Sequence, residues 1–553
     1  MNYRVTDGEL KSVANAIRRK GNTTELLTWD AEFASAILAI PYPSGSISIS
    51  QNGTYDVASY ASAAISVPTA SGSVTLSQNG AYDVSAFANA VVSVPMPSGS
   101  ISISENGAYD VTAFSNAIVN VSGSGSDDNF LVAIGAKSGA INDTTLSVVG
   151  IGACYSFPSL YGVRMTAVEE IKASAFQRCT SLNSANFPTC KTIGSWAFAS
   201  DSNCNDLSFP MCETIGSYAF AHNKLLNPIY FPACISIDTS AFRSCSVMSA
   251  DFPVCKTIGS YAFFCCKILE SISFPLCEHI SSYAFSSCYE LTKADFPKCS
   301  YIGGMAFQEC SVLTIANFPE CTSIEEWAFD SCYALSQVNA PLCSSLGYGA
   351  FNECSQLTSA SFPLVLSVDQ YTFSSCNRLS QVYIPSCEWI GDYAFEHCYS
   401  LSQADFPLCS QIGGFAFGDC SVLQRVNAPL CSSVGTRAFE NCSILSEVNI
   451  MSCESIDGYA FLNCSSLKQL SLPYCRSIWS NAFVGCTSLE SVYLLFQYRT
   501  TLWSVDAFGS TPMSDSSYLG HYGSIYVPSS LVAAYKSASN WSVYSDRIAA
   551  YVE

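Results

Sequence analysis

Leu291-Thr292-Lys293-Ala294-Asp295-Phe296-Pro297-Lys298-Cys299-Ser300-Tyr301-Ile302-Gly303-Gly304-Met305-Ala306-Phe307-Gln308-Glu309-Cys310-Ser311-Val312 is one copy of the unit that decides the fold. Its apolar positions return on both sides at a fixed interval. Phe176, Phe198, Phe220 and Phe242 are 22 residues apart, Phe263 follows after 21, and the step of 22 holds again from Phe285 to Phe483. A last copy, Phe508, comes after a step of 25. Such a period marks a repeat architecture. A unit this short cannot bury its own apolar face, so like residues of adjacent coils must stack into ladders inside a solenoid. Alternation over the first six residues predicts a strand with Ala294 and Phe296 inward and Lys293 and Asp295 outward. Pro297 ends that strand because it has no N–H to give to a ladder. Gly303 suits a turn before a second short segment.

Working outward, a mainly β solenoid of 22-residue coils spans residues 166–488, with about fifteen copies of the unit. Residues 129–165 and 489–553 are expected to cap its ends, as solenoids require. Ser122-Gly123-Ser124-Gly125-Ser126 makes 122–128 a flexible linker. Residues 44–121 carry a different repeat of period 27, opened by Ser44-Gly45, Ser71-Gly72 and Ser98-Gly99. Each copy has an alternating run before Asn-Gly, such as Ser100-Ile101-Ser102-Ile103-Ser104 ahead of Asn106-Gly107, which is a hairpin signal. A second strand, for example Ala90–Val94, is expected to close each of three β-hairpin modules. Residues 1–43 read as two short amphipathic helices, with Leu10, Val13, Ala14 and Ile17 on one face and Phe33, Ala36, Ile37 and Ile40 on the other helix's face.

Composition excludes several functions. Of the 553 residues, 49% are hydrophobic and only 12% charged, with a formal net charge of −20. Nucleic acid needs clustered Lys and Arg, so it is not an expected partner. Anionic lipid is disfavoured on the same ground. No apolar run approaches the ~18 residues of a membrane span, so no membrane insertion is expected. The segment Met1 to Glu9 lacks the apolar core of a secretory signal.

The 29 cysteines recur every 11 residues from Cys266 to Cys354 and again from Cys376 to Cys486. No Cys-x-x-Cys pair occurs, so the usual zinc and redox spacings are missing. Two small apolar positions per coil, half a coil apart, suit buried free thiols. Ladder neighbours at ~4.8 Å with parallel Cβ vectors fit a disulfide poorly, since that bond wants ~3.8 Å and convergent vectors. Reduced thiols are therefore favoured over disulfides. The four histidines, His222, His279, His397 and His521, have no nucleophile or metal-ligand pattern beside them. Asp251 and Asp295 stand two coils apart, ~10 Å, wider than a glycosidase pair usually needs. No enzyme, cofactor or metal is expected.

Binding, if it occurs, should use the exposed strand face. Its outward residue runs Asn186, Ser208, Tyr230, Asp251, Ser273, Asp295, Asn317, Asn339, Ser361, Tyr383, Asp405, Asn427, Asn449, Ser471 and Tyr493. The candidate ligand-binding residues are Tyr230, Asp251, Asp295, Asn317, Asn339, Tyr383, Asp405 and Asn427. Amides, hydroxyls and spaced tyrosines can bond sugar hydroxyls and stack on sugar rings. The same residues can also merely solubilise a wet face and satisfy one another. A second stripe, including Trp196, Tyr218, Tyr261, Tyr283, Trp327, Tyr371 and Tyr393, precedes each Ala-Phe. Glycan stacking would suit it, but packing is the favoured role, because Ser240, Met305, Gly349, Arg437 and Asn481 interrupt the track.

The Ile-Gly-x-x-Ala-Phe-x-x-Cys core, as in Ile302 to Cys310, resembles the BspA-type leucine-rich repeats, over roughly residues 166–510. The closing stretch Ile525-Tyr526-Val527-Pro528, Ala534-Tyr535-Lys536 and Asn540-Trp541 is similar to the C-terminal ends of such proteins. The resemblance implies an adhesin, since members lie mainly on bacterial or protozoan surfaces and some occur in bacteriophage genomes. Leu10, Ala16-Ile17-Arg18, Lys20-Gly21 and Phe33-Ala34-Ser35-Ala36-Ile37 resemble an N-terminal segment of tail and baseplate proteins from phages of Gram-positive bacteria. The Asn-Gly-x-Tyr-Asp-Val modules keep the same company. Together these imply a virion tail protein made in the bacterial cytoplasm, attached to baseplate or tail proteins through residues 1–121. Its solenoid would hold a host cell-surface glycan or protein. A homo-oligomer is open, although no heptad enforces one. The alternatives are a bacterial surface adhesin, for which an export signal and an anchor would be expected, and a structural spacer.

Overall fold

The structure, a computed structural model, describes residues 140–553 except 145, 159, 201–203, 226–227, 515–522 and 553, and six short strands ahead of them. The chain divides into two units, Met1–Lys137 and Ser138–Glu553. The helices expected in 1–43 and the Gly/Ser stretch 122–128 lie outside the described residues.

In the first unit the described strands correct the hairpin expectation. Ala64–Ser66 pairs in parallel with Val91–Ser93, in the register Ala64 with Val91. Val74–Leu76 likewise pairs in parallel with Ile101–Ile103, in the register Val74 with Ile101. Both offsets equal the 27-residue period, so like residues of successive copies stack. Alternation fixes which face of a strand is apolar but not which strand it pairs with. Phe130–Leu131 pairs antiparallel with Asn120–Val121.

The second unit is a β solenoid whose coils have three sides. On one side three-residue strands such as Lys293–Asp295 pair in parallel, with Lys293, Ala294 and Asp295 opposite Ile315, Ala316 and Asn317. The second side is a ladder of two-residue strands such as Tyr301–Ile302, which forms a 10-stranded and then a 7-stranded sheet. The ladders therefore hold more coils than the about fifteen copies counted in sequence. They begin at Ala140–Asp143 and Val148–Val149, in register with Gly162–Met165 and Glu170–Ile171. The later part of the expected N-terminal cap is thus itself a coil. The third side is a run of turns with two left-handed residues per coil, Met305 at φ 58° and Glu309 at φ 60° in the quoted copy. Its backbone bonds reach the following coil, as from Phe307 N–H to the Ala328 carbonyl at 2.8 Å.

The core is two phenylalanine ladders. Phe307 is fully buried and stacks on Phe285 at 5.3 Å and on Phe329 at 5.2 Å. Phe296 belongs to the parallel ladder and meets Phe307 at 6.0 Å with the rings 64° apart. Ala294 is buried as expected, and Lys293 is exposed. Gly303 follows the second strand instead of preceding it, and its φ is not left-handed. What it provides is close approach: a Cβ there would lie 2.5 Å from the Ser282 nitrogen of the preceding coil.

No disulfide joins any of the 29 cysteines, and all but Cys265 are buried. Each ladder gives its thiols a local acceptor. Cys299 Sγ donates to the Tyr301 carbonyl at 3.1 Å, and Cys310 Sγ donates to the Phe285 carbonyl of the preceding coil at 3.2 Å. The two-residue-strand ladder breaks between Ser345–Leu346 and Ser367–Val368. There Val365 stands where Cys343 and Cys387 stand in the flanking coils. Those thiols bond the first carbonyl of their strands, at Ser345 and Trp389, both at 3.1 Å, and a valine has no donor to do so.

The last coil is sealed by residues 489–553. Ser524–Val527 extends the three-residue-strand side by pairing with Ser491–Tyr493. A short helix, Val532–Ser537, and the turn after it bring down Tyr535 and Trp541, both fully buried. Trp541 Nε1 donates to the Thr500 carbonyl at 2.8 Å, and the Tyr535 hydroxyl donates to Thr500 Oγ1 at 3.0 Å. The first of these, with the bond from the Thr500 N–H to the Tyr535 hydroxyl at 2.7 Å, satisfies backbone that a further coil would otherwise cover.

Candidate functional site

Coil stacking places the outward residues of the strand face one above another, and their side chains bond along the stack. Asn317 Nδ2 donates to Asp295 Oδ1 at 2.7 Å, and Asn339 Nδ2 donates to Asn317 Oδ1 at 2.7 Å. Asn427 donates to Asp405 at 2.6 Å and Asn449 to Asn427 at 2.7 Å in the same way. The structure thus brings Asp295, Asn317 and Asn339 into one ladder and Asp405 and Asn427 into another, which Asn449 completes. The mutual satisfaction weighed as the plainer role of these residues is present. Each ladder nonetheless lines an open depression. One of about 540 Å³ lies among Lys293, Ile315, Asn317, Gln337 and Asn339. Another of about 560 Å³ lies among Arg425, Asn427, Glu447, Asn449, Tyr493 and Tyr551.

The remaining candidates stand apart from these ladders. Tyr230 is 57% and Tyr383 60% exposed, and neither has a ring stacked on it among the described residues. Asp251 is half-buried on the same face. Tyr551, from the closing strand Ile548–Ala550 and its end, lines the second depression together with Leu495. Sequence reading missed both, because they lie beyond the regular period. Tyr493 could be read from the 22-residue offset, yet its stacking on Tyr526 at 4.9 Å could not.

Electrostatics on this face are mild. Lys293 Nζ lies 2.8 Å from Asp295 Oδ2. That bond, seconded by the one from Asn317, holds the Asp295 carboxyl below the ordinary aspartate range. A depressed value means the charged ladder end is present at neutral pH and is lost only as pH falls through that low value. Lys293→Met should move the Asp295 titration up toward the ordinary range, followed by carboxyl carbon NMR. An unchanged titration would remove Lys293 as the cause.

The aromatic stripe is a packing element. Trp196 stacks on Tyr218 at 4.2 Å, Tyr371 on Tyr393 at 4.7 Å, and Tyr393 on Phe415 at 4.9 Å. Arg437 continues the stack, over Phe415 at 5.6 Å and Tyr459 at 4.7 Å. Ring faces covered by neighbouring rings are closed to a ligand. A further amide ladder, Asp419, Asn441 and Asn463, runs on the turn side at 2.8 and 2.9 Å.

The thiols are poor nucleophiles. Burial pushes Cys310 and Cys299 up to about 12, far from the thiolate that chemistry needs. A thiol-specific reagent at neutral pH should therefore titrate one of the 29 cysteines in the folded chain, the half-buried Cys265, and all of them in denaturant. Rapid reaction of several would contradict the inward ladders. His397 Nε2 lies 3.4 Å from Asp419 Oδ2. Among the described residues, no three His, Cys, Asp or Glu side chains gather as a metal site, and no helix is long and apolar enough to cross a membrane.

Comparison with protein families agrees with this architecture. The family described as BspA type leucine rich repeat region matches residues 149–270, 235–358, 278–402 and 388–511. A leucine-rich repeat protein from Bacteroides ovatus has 26% identity over 58% of this chain and 88% of its own, with a TM-score of 0.42. A leucine rich cell surface protein from Faecalibacterium prausnitzii has 20% identity over 72% of this chain and 86% of its own, with a TM-score of 0.30. No curated protein sequence matches the chain.

Proposed function

Because the chain belongs to the family of BspA-type leucine-rich-repeat proteins, we propose that it is an adhesion protein, holding a cell-surface ligand along its strand face and doing no chemistry on it. The observation that carries this reading is the pair of amide ladders lining open depressions on the strand face. Weak contacts per coil add along such a surface, so affinity comes from number and alignment. The buried, unionised thiols support a binding protein over an enzyme.

A finer form of the proposal places the protein in a bacteriophage tail, as the tip or fibre that meets the host. Its support is the resemblance of residues 1–121 to tail and baseplate proteins, through which it would join the virion. The family match equally supports an adhesin on a bacterial surface. Mass spectrometry of purified virions against surface-shaved producer cells separates the two by where the chain is found.

Adhesion itself is tested with the full chain under reducing conditions, on candidate host bacteria before and after enzymatic glycan stripping. Saturable binding is expected. Loss on stripping identifies a glycan ligand, and survival identifies a protein. No binding on any host at high valency would defeat adhesion and leave a spacer.

A further inference from the structure

We infer that the strand face carries two equivalent stations for one linear, uncharged polysaccharide laid along the stacking axis. This deepens the adhesion reading and rests on it. The outward residues keep the order Asp-Asn-Asn-Ser-Tyr from Asp295 to Tyr383 and repeat it from Asp405 to Tyr493. Asp295 and Asp405 are 110 residues apart, five 22-residue coils, or roughly 24 Å at the usual strand spacing. The repetition is physical as well as compositional. Both triplets make the same two bonds in the same direction, at 2.7 and 2.7 Å in one and at 2.6 and 2.7 Å in the other. Each lines its own depression. The amide ladder on the turn side, Asp419 to Asn463, lines neither depression.

The chemistry of the stations selects the ligand. A primary amide has two N–H groups and two carbonyl lone pairs, and each inner rung uses one of each within the ladder. A spare donor and a spare acceptor remain on each Asn rung. A sugar hydroxyl both donates and accepts, so one hydroxyl answers one rung. Tyr383, 60% exposed, stands two coils beyond the first triplet and offers a ring to a sugar face. Tyr493 holds the corresponding sequence position beyond the second, half-buried with one ring face covered by Tyr526 at 4.9 Å.

Charge removes polyanions from the choice. Lys293 is occupied by Asp295 at 2.8 Å and Arg425 faces Glu447 at 3.9 Å, so neither station has surplus positive charge on a chain of net −20. An extended peptide is the poorer fit. Its usual mode adds backbone to a sheet edge with pockets for alternate side chains, whereas the first depression has Asn317, Gln337 and Asn339 over small Ala316 and Val338, and the second has Asn427, Asn449 and Gln469 over Val426 and Val448, together with Tyr493 and Tyr551.

The test is calorimetry on the full chain with linear neutral β-linked hexose polymers and with their tri- and decasaccharide fragments. Two trisaccharides should bind per chain, and one decasaccharide should bind per chain at least ten-fold more tightly, since the second contact becomes intramolecular. Asn317→Ala with Asn339→Ala, or Asn427→Ala with Asn449→Ala, should each leave one trisaccharide and remove that ten-fold gain. These side chains lie on the outer surface, so the fold should hold. A single trisaccharide site in the unaltered chain, indifference to either double variant, or no binding by any of these polymers overturns the proposal. If no sugar binds but the combined four-residue variant loses cell binding, adhesion through this face stands and the polysaccharide does not. If that variant still holds cells, the adhesion reading fails at this face as well.

Discussion

Phe307→Ala should destabilise the surrounding coils by about 3–5 kcal/mol, the largest effect expected of a single substitution in this chain. The ring is fully buried. It has a stacked neighbour on each face, at 5.3 and 5.2 Å, and edge contacts with Phe296 at 6.0 Å and Phe318 at 5.8 Å. Coils above and below are fixed to their own neighbours, so they cannot collapse into the space left behind, and the cavity term remains in full. A solenoid need not unfold in one step. The measurement is therefore hydrogen exchange resolved by segment, alongside urea unfolding. Protection should fall over residues 280–330 and stay near its original level over 440–480. Tyr383→Ala, on the exposed face, should change stability by no more than about 0.5 kcal/mol. Near-unaltered exchange around position 307 would contradict the inward ladder.

Gly303→Val should cost about 1–3 kcal/mol through crowding, not through backbone angles. A Cβ at Gly303 would stand 2.5 Å from the Ser282 nitrogen and 2.7 Å from the Ser281 carbonyl carbon, both backbone atoms that cannot swing away. Along the stack this position alternates Ser281, Gly303, Glu325, Gly347, Asp369, Gly391. Gly347 meets the same obstruction, with its Cβ 2.4 Å from the Glu326 nitrogen. Side chains and close approach take turns over this stretch, whereas Gly391, Gly413 and Gly435 stand in consecutive coils. Glu325→Ala, one coil on, should be nearly neutral by comparison. Equal losses at 303 and 325 would show that close approach is not what the glycine serves.

Much of this architecture is legible in the sequence because its cause is local and repeated. A period of 22 with alternation inside it leaves one arrangement that buries Ala294, Phe296 and Phe307, and the cysteine spacing follows from the same coil. The outward residues are legible for the same reason, and the chemistry they offer could be named residue by residue. Partner choice is different. The strands of residues 64–103 alternate as a hairpin would, yet they pair with the next copy 27 residues on, because alternation records a face and not a neighbour. Gly303 shows the same limit: its identity is local, but its reason is the backbone of the previous coil. Whether Asn317 and Asn339 are free amides or rungs of a ladder depended on side-chain geometry at the coil spacing, a distance the sequence does not contain. The ends, too, belonged to tertiary structure, since Tyr535, Trp541 and Tyr551 act where the period has stopped. Sequence alone determined the solenoid, its inward ladders and its exposed polar face, because periodic burial admits one solution. The tertiary structure alone decided which strands pair, which polar groups are already spent, and where the face stays open, because those depend on distances between coils.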